Sequence, residues 1–139
     1  MNNNLIFLPV LAHIFLIFTL YIYLGMVKSK AVKDGSVDRQ KASLNSKAWP
    51  DNVVQVSNNL DNQFESPIIF YMLSVIYYLI GDAGSVLLSI MSLYVITRYA
   101  HAYVHVTSNY VPYRFQIFRA GVLLLLGLSI WLVLKLIGL

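Results

Sequence analysis

From Leu5 to Val27 the chain runs for 23 residues without a formal charge, His13 and Thr19 being its polar interruptions. At ~1.5 Å per residue, a helix of that length covers a hydrocarbon core of ~30 Å with some tilt. The run lacks a basic n-region, is too long for a signal peptide, and has no small-x-small site before Lys28. It therefore reads as a first membrane span that stays in place rather than a cleaved leader. The rest of the chain agrees. It is 58% hydrophobic and 12% charged, where a soluble domain carries roughly 25% charged residues. The sequence implies an integral, multi-pass membrane protein whose 139 residues suffice for about four spans.

Lys28 to Ser57 is a basic loop, with Lys28, Lys30, Lys33, Arg39, Lys41 and Lys47 against Asp34, Asp38 and Asp51. Trp49-Pro50 near its end suits either a headgroup-level anchor or a plain turn. The next apolar stretch, Pro67 to Ile80, has 14 residues and as a helix reaches only ~21 Å, short of the ~30 Å core. Two further turns are needed from upstream, so the second span is expected over about 58–80, drawing Asn62 and Glu65 towards the membrane. Gly81-Asp82 turns the chain. The third span, about 83–106, carries Arg98, His101 and His105 in its last third, and Asn109-Tyr110-Val111-Pro112 reads as a tight connection. The fourth span runs over about 115–138, with Arg119 near its start and Lys135 near its end. Six Lys/Arg in the first loop, with Arg114 and Arg119 about the third, place those loops inside by the positive-inside bias. The expected fold is a single all-α domain over 1–139, a four-helix transmembrane bundle with both termini non-cytoplasmic. The start of span two, the end of span three and the start of span four then meet at the cytoplasmic face.

A charge at bilayer depth costs at least ~2.5–3.5 kcal/mol and persists where it pairs or faces a polar cavity. Asn62, Glu65, Arg98, His101, His105 and Arg114 are therefore the candidate functional residues. Each has a plainer reading. Glu65 and Arg98 suit a buried ion pair locking spans two and three, Asn62 suits interhelical hydrogen bonding, and Arg114 suits a snorkelling interfacial cation. His13 reads as a satisfied packing residue. His101 and His105 have the i, i+4 spacing of a metal pair, but without cysteine only Glu65 stands as a third ligand, and no metal is expected. A bis-His haem fails because His13 and His101 fall at depths differing by ~15 Å. No basic, aromatic-interleaved surface points to nucleic acid.

Asn62-Gln63-Phe64-Glu65 followed by Pro67, Arg98-Tyr99-Ala100-His101 at the end of span three, and Arg114 thirteen residues beyond His101 together resemble the MAPEG family. These are the membrane-associated proteins of eicosanoid and glutathione metabolism. Gly25-Met26-Val27-Lys28 resembles the end of their first span, with Lys where relatives carry Arg. The resemblance covers nearly the whole chain and implies a homotrimer holding glutathione between protomers near the cytoplasmic face. It implies that Asn62, Glu65, His101 and Arg114 line that site, with Lys28 from a neighbour, and that Arg114 activates the thiol. Arg98 and His105 belong to the same cluster. Tyr103, with Tyr99, matches the tyrosine pair of the leukotriene-forming branch. The chain departs from its relatives at Asn58 and Asp61, which stand where they carry arginines, and at His105, where they carry a tyrosine.

The function so implied is a membrane-bound glutathione-dependent transferase or peroxidase. Its substrates are lipophilic electrophiles or lipid hydroperoxides entering from the bilayer. The other class of function is a non-catalytic lipid-binding, structural or regulatory trimer of the same fold. The Asn/Ile/Lys-rich composition suggests a bacterial inner membrane.

Overall fold

The computed structural model describes Asn2 to Gly138; Met1 and Leu139, the two ends of the domain, lie outside the described residues. Six α-helices account for most of it: α1 (Phe7–Lys33), α2 (Arg39–Leu44), α3 (Asp51–Asp61), α4 (Pro67–Leu79), α5 (Ser85–Val106) and α6 (Val111–Leu136). Short 3-10 turns occupy Asn3–Ile6, Ser46–Ala48 and Asn62–Phe64, and there is no strand among the described residues. Two stretches, Asn3–Lys33 and Val111–Leu136, are long and apolar enough to cross a bilayer. The 22 residues of α5 also reach ~33 Å, although Arg98 and two histidines interrupt their apolarity.

Helix α1 outruns its apolar segment by six residues, ending at Lys33 instead of Val27. Lys and Ala favour helix, and Lys30 and Lys33 in the last turn suit the negative end of the helix dipole. It stops where Gly35 adopts φ +66°. There the Gly35 N–H donates to the Val32 carbonyl and the Ser36 N–H to that of Ala31, the paired bonds of a Schellman end. Gly81, at φ +73°, ends α4 in the same way, with bonds to Tyr78 and Tyr77.

The second span departs from the single helix expected over 58–80. Helix α3 ends at Asp61, a 3-10 turn follows, and Glu65 leaves helical geometry altogether at φ −93°, ψ −96° before α4 starts at Pro67. Proline causes this. Its ring would collide with the Gln63 carbonyl four residues back, and it has no N–H to continue the ladder. At the first position of α4 both defects cost nothing. Asn62 and Glu65 thus sit on a break between two helices rather than on one helix face.

Helix α5 is central and packs on α1, α3 and α6, while α4 lies against α6 and α1. One apolar cluster joins Phe70, Leu73 and Tyr77 of α4, Leu87, Met91, Tyr94 and Val95 of α5, and Leu125, Leu128 and Leu132 of α6. A second joins Leu16, Ile17 and Leu20 of α1 to Leu60 and Ala102. Between them, in sequence order along each helix, come His13, Gln63 and Arg98, a buried polar layer. Helices α5 and α6 approach closely at Gly121, where an added Cβ would fall 2.9 Å from the Thr97 hydroxyl. At the far end of the bundle Asp82 pairs with Lys135 at 2.6 Å.

Candidate functional site

Arg98, His101 and His105 lie on the buried face of α5. Arg98 is 2% exposed, and its acceptors come from the break between α3 and α4. Its Nε and Nη2 donate to Gln63 Oε1 at 3.3 and 3.2 Å, and Nη2 donates to the Asn62 carbonyl at 3.0 Å. Because a guanidinium only donates, these bonds fix the orientation of the Gln63 amide. His13 Nε2, 3.2 Å from the same oxygen, must then be a donor, and His13 Nδ1 accepts from the Tyr71 hydroxyl at 2.6 Å. The Gln63 amide nitrogen donates to the Asn59 carbonyl and to Asn59 Oδ1, both at 3.1 Å, and Asn59 Nδ2 donates to the Ala102 carbonyl. This network ties α1, α3, α4 and α5 together. His13 is the satisfied packing residue expected of it.

The plainer reading of Glu65 and Arg98, a buried ion pair, is not met. The ion pairs among the described residues are Lys41–Asp38 and Lys135–Asp82, and Glu65 is exposed while Arg98 is buried. The break at Glu65 turns its carboxylate outward, and the neutral Gln63 takes the arginine instead.

Beside this layer opens a cleft of about 230 Å³, lined by Asn62, Glu65, His101, Val111, Arg114, Phe115 and Phe118. Three elements build it: the helix break, the end of α5 and the start of α6. The connection from α5 to α6 is only four residues, 107–110, and Asn109 takes a left-handed φ of 50° within it, which asparagine tolerates better than most residues. Asn109 Oδ1 accepts from Arg114 Nη1. The Arg114 carbonyl lies 3.2 Å from His101 Nδ1, and the ring of Phe118 flanks that imidazole at 6.1 Å. The guanidinium and the imidazole are therefore both anchored, yet Arg114 Nε and His101 Nε2 are buried without a hydrogen-bond partner among the described residues.

Four of the eight expected site residues, Asn62, Glu65, His101 and Arg114, meet at this cleft. The others do not line it. Arg98 lies behind it and holds the Asn62 main chain. His105 is buried one turn on, its ring 5.8 Å from that of His101, with both nitrogens unpartnered among the described residues. Tyr103 is 70% exposed on another face of α5, in a groove against α1 with Leu16, Thr19 and Tyr23. Two residues further along a helix point about 200° away, so Tyr103 and His101 cannot share a face. Tyr99, on the α1 side as well, donates to the Ala12 carbonyl. Lys28 lies in a separate pocket with Ser43, Ser46 and Ser57, its ammonium 5.1 Å from the Trp49 ring centre. Asn58 and Asp61 are exposed on α3. Sequence reasoning missed Gln63 and Asn59, the hub of the polar layer; their i, i+4 amide spacing at the head of an apolar run was the available signal.

A model of the MAPEG family matches residues 6–134. The chain belongs to the MAPEG family. No curated protein and no solved structure matches it. As a MAPEG protein it is integral to the membrane, and its exposed apolar helix faces are those a lipid-embedded bundle carries. Members of the family generally use glutathione as co-substrate and are generally membrane-embedded trimers.

Proposed function

We propose that this MAPEG protein is a glutathione-dependent transferase or peroxidase acting on lipophilic electrophiles or lipid hydroperoxides, with Arg114 holding the thiolate. The observation that carries the reading is the cleft in which Asn62, Glu65, His101 and Arg114 converge. The residues fit the ligand. Glu65 offers an exposed carboxylate for an ammonium, Asn62 can pair with a peptide group, and the unpartnered Arg114 Nε–H is a donor awaiting an anion. Glutathione, when bound, supplies the nucleophilic sulfur. Arg114 favours its anionic form, since a free thiol has a pKa of ~8.5 and a neighbouring cation lowers it. The same guanidinium then stabilises negative charge developing on the acceptor. Val111, Phe115 and Phe118 give the cleft an apolar wall suited to a substrate arriving from the bilayer.

At about 230 Å³ the cleft is smaller than the ~300–1,000 Å³ of ordinary small-molecule sites. A homotrimer answers this, a neighbouring protomer completing the wall and bringing Lys28. The bundle crosses the membrane four times, α3 and α4 together forming the second crossing, with both termini non-cytoplasmic and the cleft at the cytoplasmic level. A bacterial inner membrane is the setting the composition suggests. Calorimetric titration of glutathione into detergent-purified protein tests the reading, with Arg114→Ala beside it. Binding in the millimolar range or tighter is expected, weakened in the variant. No binding at millimolar glutathione sinks the reading, and binding indifferent to Arg114→Ala removes the role of that arginine.

A further inference from the structure

Two side chains that line the cleft keep buried polar atoms without partners among the described residues, Arg114 Nε and His101 Nε2, and so does His105 one turn on, with both of its nitrogens. A buried polar atom left unpaired is costly, so such atoms point to a group that arrives with a ligand. The chemistry of each atom says what that group must be. The Arg114 carbonyl can only accept, so His101 Nδ1, 3.2 Å away, carries the ring proton. In the neutral ring Nε2 then carries the lone pair, and it is a buried acceptor in a side chain that is 4% exposed. Arg114 Nε–H is its complement, a buried donor bearing positive charge. His101 and Arg114 both line the one cleft, and an acceptor and a cationic donor held there suit a weak acid that gives up a proton and stays as the anion.

We propose that His101 is the proton acceptor for the bound thiol, a catalytic role resting on the glutathione reading above. The S–H bond breaks, its proton goes to His101 Nε2, and the electron pair stays on sulfur beside Arg114. No co-reactant is needed, and the product is a thiolate–imidazolium pair, the arrangement by which an adjacent base activates a nucleophile. The main-chain carbonyl of Arg114 holds the ring in the tautomer that can accept.

The test counts protons. Glutathione and S-methylglutathione, which has no S–H, are titrated calorimetrically into the purified full chain in buffers of different ionisation enthalpy, and the ultraviolet thiolate band is followed in parallel. If His101 takes the proton, the thiolate band appears with glutathione while the two ligands release equal numbers of protons to solvent. A full extra proton released per thiolate formed overturns the proposal. His101→Asn adds a second reading, because its amide can keep donating to the Arg114 carbonyl while the Nε2 acceptor is lost. At saturating glutathione its thiolate band at neutral pH should fall at least about tenfold, the loss of the internal acceptor raising the thiol pKa by about one unit or more. An undiminished band in that variant overturns the proposal. If the variant does not fold, the proton count on the native chain decides. Failure of the native chain to bind either ligand overturns the glutathione reading and this role with it, whereas binding with proton release overturns the role alone.

Discussion

Arg98 has a neutral amide and a main-chain carbonyl for partners, and its charge stays buried because Gln63 Oε1 takes two of its N–H groups. Removing one partner of a buried charge costs ~3–5 kcal/mol, since the charge that remains is uncompensated. Gln63→Leu should therefore lower the thermal midpoint in detergent sharply, and Gln63→Glu, which restores an acceptor, should recover most of the loss. Arg114 answers to a different measurement. A cation beside the sulfur lowers the thiol pKa, so its removal raises it towards the free value of ~8.5. Arg114→Ala should shift the pH–rate profile upward, with activity falling most at pH ~7 and least at pH ~9. Unchanged profiles would remove the guanidinium from thiol activation.

The helices carry the site by where they break and where they touch. Pro67 separates α3 from α4, and the break leaves Glu65 exposed beside the cleft. Pro67→Ala removes that constraint, and glutathione affinity should fall about tenfold as helix extends through the turn, with helical circular dichroism kept or increased. Gly121, where α6 lies close against α5, is two turns beyond Arg114, and the Thr97 hydroxyl 2.9 Å from a new Cβ is itself bonded to the Tyr94 carbonyl. Gly121→Val should cost ~1–3 kcal/mol by overpacking and displace Arg114 relative to His101, which glutathione affinity would register alongside the thermal midpoint. The sequence showed α1 and α6 as long apolar runs and α5 as one interrupted by Arg98, His101 and His105. It missed ends where helix continues beyond the apolar run, by six residues at the end of α1 and four at the start of α6. It also showed that Pro67–Ile80 was too short to span alone. It did not show what holds the chain on the near side of Pro67, because Asn62 and Gln63 are bonded by Arg98, thirty-five residues or more away.

The cleft holds about 230 Å³, and Lys28 faces Trp49 in a separate pocket. If a neighbour's Lys28 completes the site, protomers lacking Lys28 and protomers lacking Arg114 should complement one another. In a heterologous ring assembled at random from equal amounts of Lys28→Ala and Arg114→Ala chains, half the sites keep Arg114. Half of those meet an intact neighbouring Lys28, so about one quarter of sites regain both groups. Coexpression of the two variants with assay of the purified mixture measures this. Activity no higher than either variant alone would place Lys28 outside the site.

Read alone, the chain determined its solvent and its elements: charge-free runs long enough to need lipid, a basic loop, and a few ionisable residues too costly to be incidental. Their order and spacing also carried the family. Only the tertiary structure decided which of those residues share a cleft. Burial favours whichever acceptor reaches a charge with the best geometry, so Arg98 went to Gln63 rather than Glu65. Tyr103 faces the α1 groove because the helical period turns it away from His101. The four residues that remained together, Asn62, Glu65, His101 and Arg114, did so because a proline break and a four-residue connection bring three chain segments to one place, a convergence no single stretch of sequence contains.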